Sequence, residues 1–338
     1  MRGPSQLIRS GKLAECKVLA CIYEWSDKAA YLTIDRVSFP GKTGAILCYC
    51  NPPVHQVGNR DLDAYLQGLG AIIDNPPGID FLILCGANDP VHAGGDLRET
   101  LANLDRTAML KKEKQQQGAS PEEIDRLYDW ADSRIRKGGA VHSSVRKVAG
   151  FARTVAVCGG GARFGGSAEI PLTADFLVAD SRSGLCFSEA MLGIIPGWSG
   201  VARTLVKAGL RNAAYMAELG REVKAGKLKE IGVANEVVSV PLPFPRKQKT
   251  DQPEVDNAEY QKALDAHDEE TGLLLLPKAL ELATCPEDKV SKVTEKDRRN
   301  LDEGEDVSAE IARRANPENY AHLWGRPLRE VQEEIGKL

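Results

Sequence analysis

Two apolar, β-branched runs each lead into a glycine-rich turn. FLILCG (81–86) precedes His92-Ala93-Gly94-Gly95-Asp96, and TVAVC (154–158) precedes Gly159-Gly160-Gly161-Ala162-Arg163-Phe164-Gly165-Gly166. Short continuous apolar runs bounded by turn residues read as strands buried on both faces. YLTI (31–34), AILCYC (45–50), FLVAD (176–180) and GLCF (184–187) are of the same kind. Between the second of these and FLILCG lies NRDLDAYLQGLGAIID, whose Leu62, Leu66, Leu69 and Ile73 recur at helical spacing, with Asn59 as a cap and Pro76-Pro77 as a stop. Strand, turn and helix repeating at this interval predict an α/β fold with a largely buried sheet.

The helical stretches have signals of their own. Ser120-Pro121-Glu122-Glu123 is a capping box with proline in the first turn, and Ile124, Leu127, Ala131 and Ile135 form a stripe that Gly138-Gly139 is expected to end. Past residue 240, VPLPFPRKQKTDQPE is a proline- and charge-rich connection, and the remainder is charged, strand-poor and expected to be helical.

Composition narrows the function classes. A formal charge of −4 over 338 residues excludes nucleic-acid binding by bulk charge. No run of eighteen apolar residues is present, and Met1 to Gly11 lacks an apolar signal segment, so the chain is expected to be cytoplasmic and free of membrane. Eight cysteines (16, 21, 48, 50, 85, 158, 186, 285), several inside apolar runs, read as reduced buried thiols. Cys48 and Cys50 share one face of a strand, and no set of four ligands with zinc spacing is present; no metal is expected.

Ligands of α/β folds sit at the carboxyl ends of strands, where both glycine turns fall. Neither turn is a nucleotide fingerprint: the second lacks Lys-Ser/Thr and the GxGxxG register. Each is either a tight turn or a place where backbone N–H groups, unobstructed by a Cβ, point at developing negative charge. Ser167 is expected as the cap of a short helix that carries Glu169 in its first turn, with Pro171 tolerated there. Glu189 follows twenty residues on, in the otherwise apolar GLCFSEAMLGIIPGWSG. Each glutamate alone is a cap or a solvated side chain; two beside a backbone donor pair point to acid/base work on an enolate.

The segments AGGDLRE (93–99), GGSAEIPLTADFLVAD (165–180), SEAMLGIIPGWSGVARTL (188–205) and GREVKAGKLKEIGVANEVV (220–238) resemble, in order and spacing, the enoyl-CoA hydratase/isomerase (crotonase) superfamily. The resemblance covers about residues 45–240. It implies a crotonase-like ββα spiral core, a homotrimer or dimer of trimers, and an acyl-CoA thioester as ligand, coenzyme A arriving with the substrate and no other cofactor. Carried over by position, it implies Gly95 and Gly166 as oxyanion-hole donors and Glu169 and Glu189 as the acid/base pair. His92, Ala93, Asp96 and Leu97 would contact coenzyme A, and Trp198 would line the acyl pocket or pack under it. His92 has a structural alternative, and the basic run 246–249 is a 3′-phosphate contact or a solvated linker.

The chain therefore divides into an N-terminal extension (1–44), the core (45–240) with a helical insertion at 107–140, and a linker with a C-terminal helical oligomerisation lobe (241–338). The activity expected from the resemblance is addition of water to an unsaturated acyl-CoA. Two alternatives stand beside it: the extra length points to a ring-opening C–C hydrolase of a cyclic substrate such as 6-oxocyclohex-1-ene-1-carbonyl-CoA, and a crotonase-like fold without catalysis would be a non-catalytic acyl-CoA-binding scaffold.

Overall fold

The computed structural model describes residues 4–13, 15–74, 78–192, 194–246, 253–290 and 292–302; Pro76-Pro77, most of the basic run 246–249 and the last part of the C-terminal lobe lie outside them. The chain forms two units, one of residues 1–95 and 137–301, the other of 96–136 with 302–338.

The first unit opens with α1 (Pro4–Arg9) and an antiparallel meander of β1 (Lys17–Asp27), β2 (Ala30–Phe39) and β3 (Lys42–Cys50). Residues ahead of the expected core thus supply two strands of the main sheet. After α2 (Asn59–Asp74) the chain repeats one pattern, a long strand followed by a short one: β4 (Phe81–Gly86) with β5 (Val91–His92), β6 (Arg153–Cys158) with β7 (Ala162–Phe164), β8 (Phe176–Asp180) with β9 (Gly184–Cys186). The long strands join a seven-stranded sheet in the order β1-β2-β3-β4-β6-β8-β11, and the short ones a four-stranded sheet, β10-β9-β7-β5. β10 is Val223–Lys224 and β11 is Glu236–Val238. Helices follow each pair, so the unit winds as strand, strand, helix: the expected α/β ββα architecture.

The main sheet is covered on both faces, as the apolar runs require. Along β3, Ala45, Leu47 and Tyr49 face one cluster, which includes Leu62, Leu69 and Ile72 of α2. Ile46, Cys48 and Cys50 alternate onto the other, which includes Leu275, Leu276 and Leu280. These last three belong to the expected helical C-terminal region, a 32-residue helix over Pro253–Thr284. All eight cysteines are free thiols. No described helix is long and apolar enough to cross a membrane.

The second unit holds α3 (Leu97–Gln116) and α4 (Pro121–Asp125), the latter with the expected capping box between Ser120 and Glu123. Its Trp130 Nε1–H donates to Thr107 Oγ1 at 3.1 Å. One expectation fails here. Gly138-Gly139 does not end the helix; α5 runs from Asp129 to Val148. Within the first unit, a Cβ built on Gly138 would lie 2.0 Å from Trp198 Cδ1, so glycine is present as a notch for the indole.

Candidate active site

The turn after β5 and the turn after β7 are in backbone contact. A Cβ on Gly94 would come within 2.5 Å of the Phe164 carbonyl oxygen and 3.0 Å of the Gly166 nitrogen, which only glycine avoids. The first turn is strapped from its other side: Ala93 N–H donates to Val54 (2.7 Å), and Val57 N–H donates to Gly94 (2.9 Å). Gly165 adopts φ 49°, ψ −129°, and the helix α6 (Gly166–Leu172) starts directly after it. Ser167, expected as the cap, lies inside α6 instead, because Gly165 occupies the cap; its hydroxyl donates to the Ala93 carbonyl at 3.0 Å. The Gly166 N–H is the first of the helix and has no intrahelical acceptor. Gly95 and Gly166 therefore stand on adjoining turns. Gly159, Gly160 and Gly161 have a different use: a Cβ on them would strike, respectively, the Asn88 side chain and the Asp89 and Pro90 carbonyls.

Glu169 reaches the turn Gly197-Trp198-Ser199-Gly200 that opens α7 (Gly200–Leu219, interrupted at Gly209). Its Oε2 accepts from the Trp198 N–H at 2.9 Å and the Gly200 N–H at 2.7 Å. Ser199 makes this possible by adopting the left-handed region at φ 75°. A Cβ on Gly200 would lie 2.6 Å from Glu169 Cγ, so that residue too is held to glycine. The Trp198 indole packs against Gly166 as well as Gly138, with a Gly166 Cβ reaching to 2.0 Å of Cζ3. Trp198 is thus a wall behind the second turn.

Glu189 approaches from the segment after β9. Its Oε1 is the nearest atom, at 2.9 Å, to where a Gly165 Cβ would stand, and its buried Oε2 has no hydrogen-bond partner among the described residues. Burial drives both carboxyls upward. Glu169 rises from the ordinary 4.5 to about 7, mainly by burial and further by the nearby Glu189, against the opposing pull of the two backbone donors. Glu189 is raised by burial. Two interacting carboxyl groups raised toward neutral pH can exchange protons with a ligand at little cost.

The remaining expected residues separate. His92 is buried and turned into the interior, stacked on His55 with centroids 4.8 Å apart. Ala93 is part of the strapped turn. Asp96 and Leu97 belong to the second unit, where Asp96 caps α3 by accepting from the Arg98 and Glu99 N–H groups and Leu97 is its partly exposed first residue. Sequence reasoning did not anticipate Gly200 or the Trp198 main chain as the groups that hold Glu169; the GWSG string, with two glycines around a bulky residue, carries that signal.

Residues 146–242 match the family model described as Enoyl-CoA hydratase/isomerase. A mevalonyl-coenzyme A hydratase, SIDH, of Beauveria bassiana is 28% identical over 202 residues, 60% of this chain and 66% of that protein. A carnitinyl-CoA dehydratase of Salmonella paratyphi B is 38% identical over 81 residues, 23% of this chain and 30% of the relative. The chain thus spans under two thirds of the length of these relatives. Among solved structures, Pseudomonas aeruginosa DspI superposes with TM-score 0.49 at 20% identity, covering 71% of this chain and 75% of that one.

Proposed function

We propose that this chain, a relative of the enoyl-CoA hydratase/isomerase superfamily through residues 146–242, adds water to an unsaturated acyl-CoA thioester. The observation that carries the reading is the pair Glu169 and Glu189, both buried, interacting, and set around the turn from which Gly166 begins α6. The thioester carbonyl accepts from the Gly95 and Gly166 N–H groups, which turns it into an electron sink; a donor of this kind contributes about 100- to 1,000-fold in rate. Water is then held between the two glutamates. One takes its proton as hydroxide adds to C3, and a proton is delivered to C2 of the enolate. The carboxyls titrate as a pair, so acid and base roles belong to the pair.

The fixation of Glu169 supports this reading. One oxygen is immobilised by two main-chain donors, so the other is aimed without cost at the moment of reaction. A hydratase and a dehydratase among the relatives support addition or removal of water, and an ethylmalonyl-CoA decarboxylase stands beside them, so their names alone do not separate this reading from C–C cleavage. Self-association as a trimer or dimer of trimers is part of the proposal, and Ile194, Ile195, Val206 and Leu210 supply exposed apolar surface for it.

The test is turnover of crotonyl-CoA and of 6-oxocyclohex-1-ene-1-carbonyl-CoA, followed as loss of the conjugated thioester and by mass of product. Hydration of either supports the proposal. Ring-opened product supports the hydrolase alternative instead, and binding of both without turnover supports the scaffold.

A further inference from the structure

On the sheet side of the same turns, a cavity of about 50 Å³ is lined by the ends of β3, β4 and β6 and by His55, His92, Arg163 and Ser167. Most of its wall is apolar, which makes its two open polar atoms conspicuous. Arg163, 7% exposed, donates from Nη2 to the Gly159 carbonyl at 2.9 Å and bonds the Cys158 thiol, but its buried Nε–H has no acceptor among the described residues. His92, 2% exposed, bonds the Asp89 backbone through one ring nitrogen and leaves Nε2 without a partner among the described residues. The Asp89 carboxylate is engaged by His55 Nε2 at 2.7 Å, and among the described residues no carboxylate forms an ion pair with Arg163. Buried cations are as a rule paired, and buried donors satisfied.

We propose that this cavity binds a single carboxyl group. One oxygen accepts from the Arg163 Nε–H, and the other shares a proton with His92 Nε2, so that the cation gains its counter-charge and both orphaned atoms are satisfied. At roughly 10–15 Å³ per water the space holds about three to five non-hydrogen atoms, which fits formate or acetate and is too small for pivalate or benzoate. The carboxyl comes either from a free short acid or from the end of an acyl chain; the second source rests on the acyl-CoA reading above. Either way, occupancy fixes His92 and with it the turn Ala93-Gly94-Gly95 that follows.

Thermal unfolding of the full chain in sodium formate or acetate, against sodium chloride at equal ionic strength, tests this. A saturating rise in Tm of about 3 °C or more is expected, absent with pivalate or benzoate and lost in Arg163→Met and His92→Phe. Formate that performs no better than chloride, or benzoate that performs as well as formate, overturns the proposal. Should the variants not fold, the size series on the unaltered chain decides alone. Formate that raises KM for a carboxyl-ended acyl-CoA but not for its methyl-ended analogue assigns the acyl source, whereas unchanged KM assigns the free acid. A formate shift without turnover of any acyl-CoA sinks the acyl-CoA reading and leaves the carboxyl site standing.

Discussion

The indole of Trp198 closes over Gly166 so tightly that a Cβ on the glycine would stand 2.0 Å from Cζ3. The same residue's main-chain N–H holds Glu169 at 2.9 Å. One aromatic residue therefore couples the placement of the second glycine turn to that of the first glutamate. Gly166→Ala must push the ring aside and disturb both, and kcat is expected to fall about a hundredfold, the size of one lost oxyanion donor. Circular dichroism on the variant establishes that it is folded; a folded variant with kcat within a factor of five of the parent sinks the coupling.

Glu169→Gln and Glu189→Gln keep shape but remove proton transfer. Each is expected to lower kcat by about a hundredfold or more, with acyl-CoA affinity within a few-fold, because general acid/base groups contribute on that scale. Steady-state kinetics and a binding titration read the two quantities separately. Near-normal kcat in either variant takes that residue out of the reaction.

Glu169 also marks the stability curve. Below pH 4.5 the carboxyl is protonated whether the chain is folded or not, and it contributes nothing. Between 4.5 and about 7 the unfolded chain releases the proton while the folded one keeps it, so folding is progressively penalised, by about 3 kcal/mol once pH exceeds 7. Glu169→Gln cannot ionise, and its Tm should gain on the parent as pH rises from 5 to 7.5. A constant difference in Tm across that range contradicts the raised carboxyl.

Val206 and Leu210 are 68% and 74% exposed, on either side of the break in α7 at Gly209. Val206→Glu with Leu210→Glu should leave the fold intact and shift the mass measured by light scattering from an oligomer toward a single chain. Unchanged mass removes this surface from the assembly.

How far the fold can be read from residues alone depends on the range of the causes. β3, β4 and β6 are legible because continuous apolar runs need two covered faces, and each is buried almost throughout. The capping box at Ser120 is legible because both its partners lie within three residues. Gly138 was not, since what decides it is Trp198, sixty positions away, rather than local helix propensity. Gly159, Gly160 and Gly161 read as either a tight turn or a ligand cradle, and they serve close passage of residues 88–90, the Asn88 side chain and the Asp89 and Pro90 carbonyls. Glu169 and Glu189 were found through their apolar neighbourhood. The groups that hold Glu169, and the contact between His55 and Asp89, depend on chain crossings of 29 to 34 residues that no local pattern announces.

The segment that carries the family pattern stops at residue 242, yet Ile46, Ile83, Val155 and Val178 share one cluster with Leu275, Leu276 and Leu280. Asn88, just ahead of the glycine turn, donates its N–H to Asp268 at 2.6 Å and its carboxamide to the Asp268 carbonyl at 3.0 Å. A chain cut at 242 would uncover much of one sheet face, at about 1.5–3 kcal/mol for each large side chain exposed, and would release the loop that leads to Gly95. The recognisable segment is thus not a self-contained core, because the helix that follows it closes one face of its sheet.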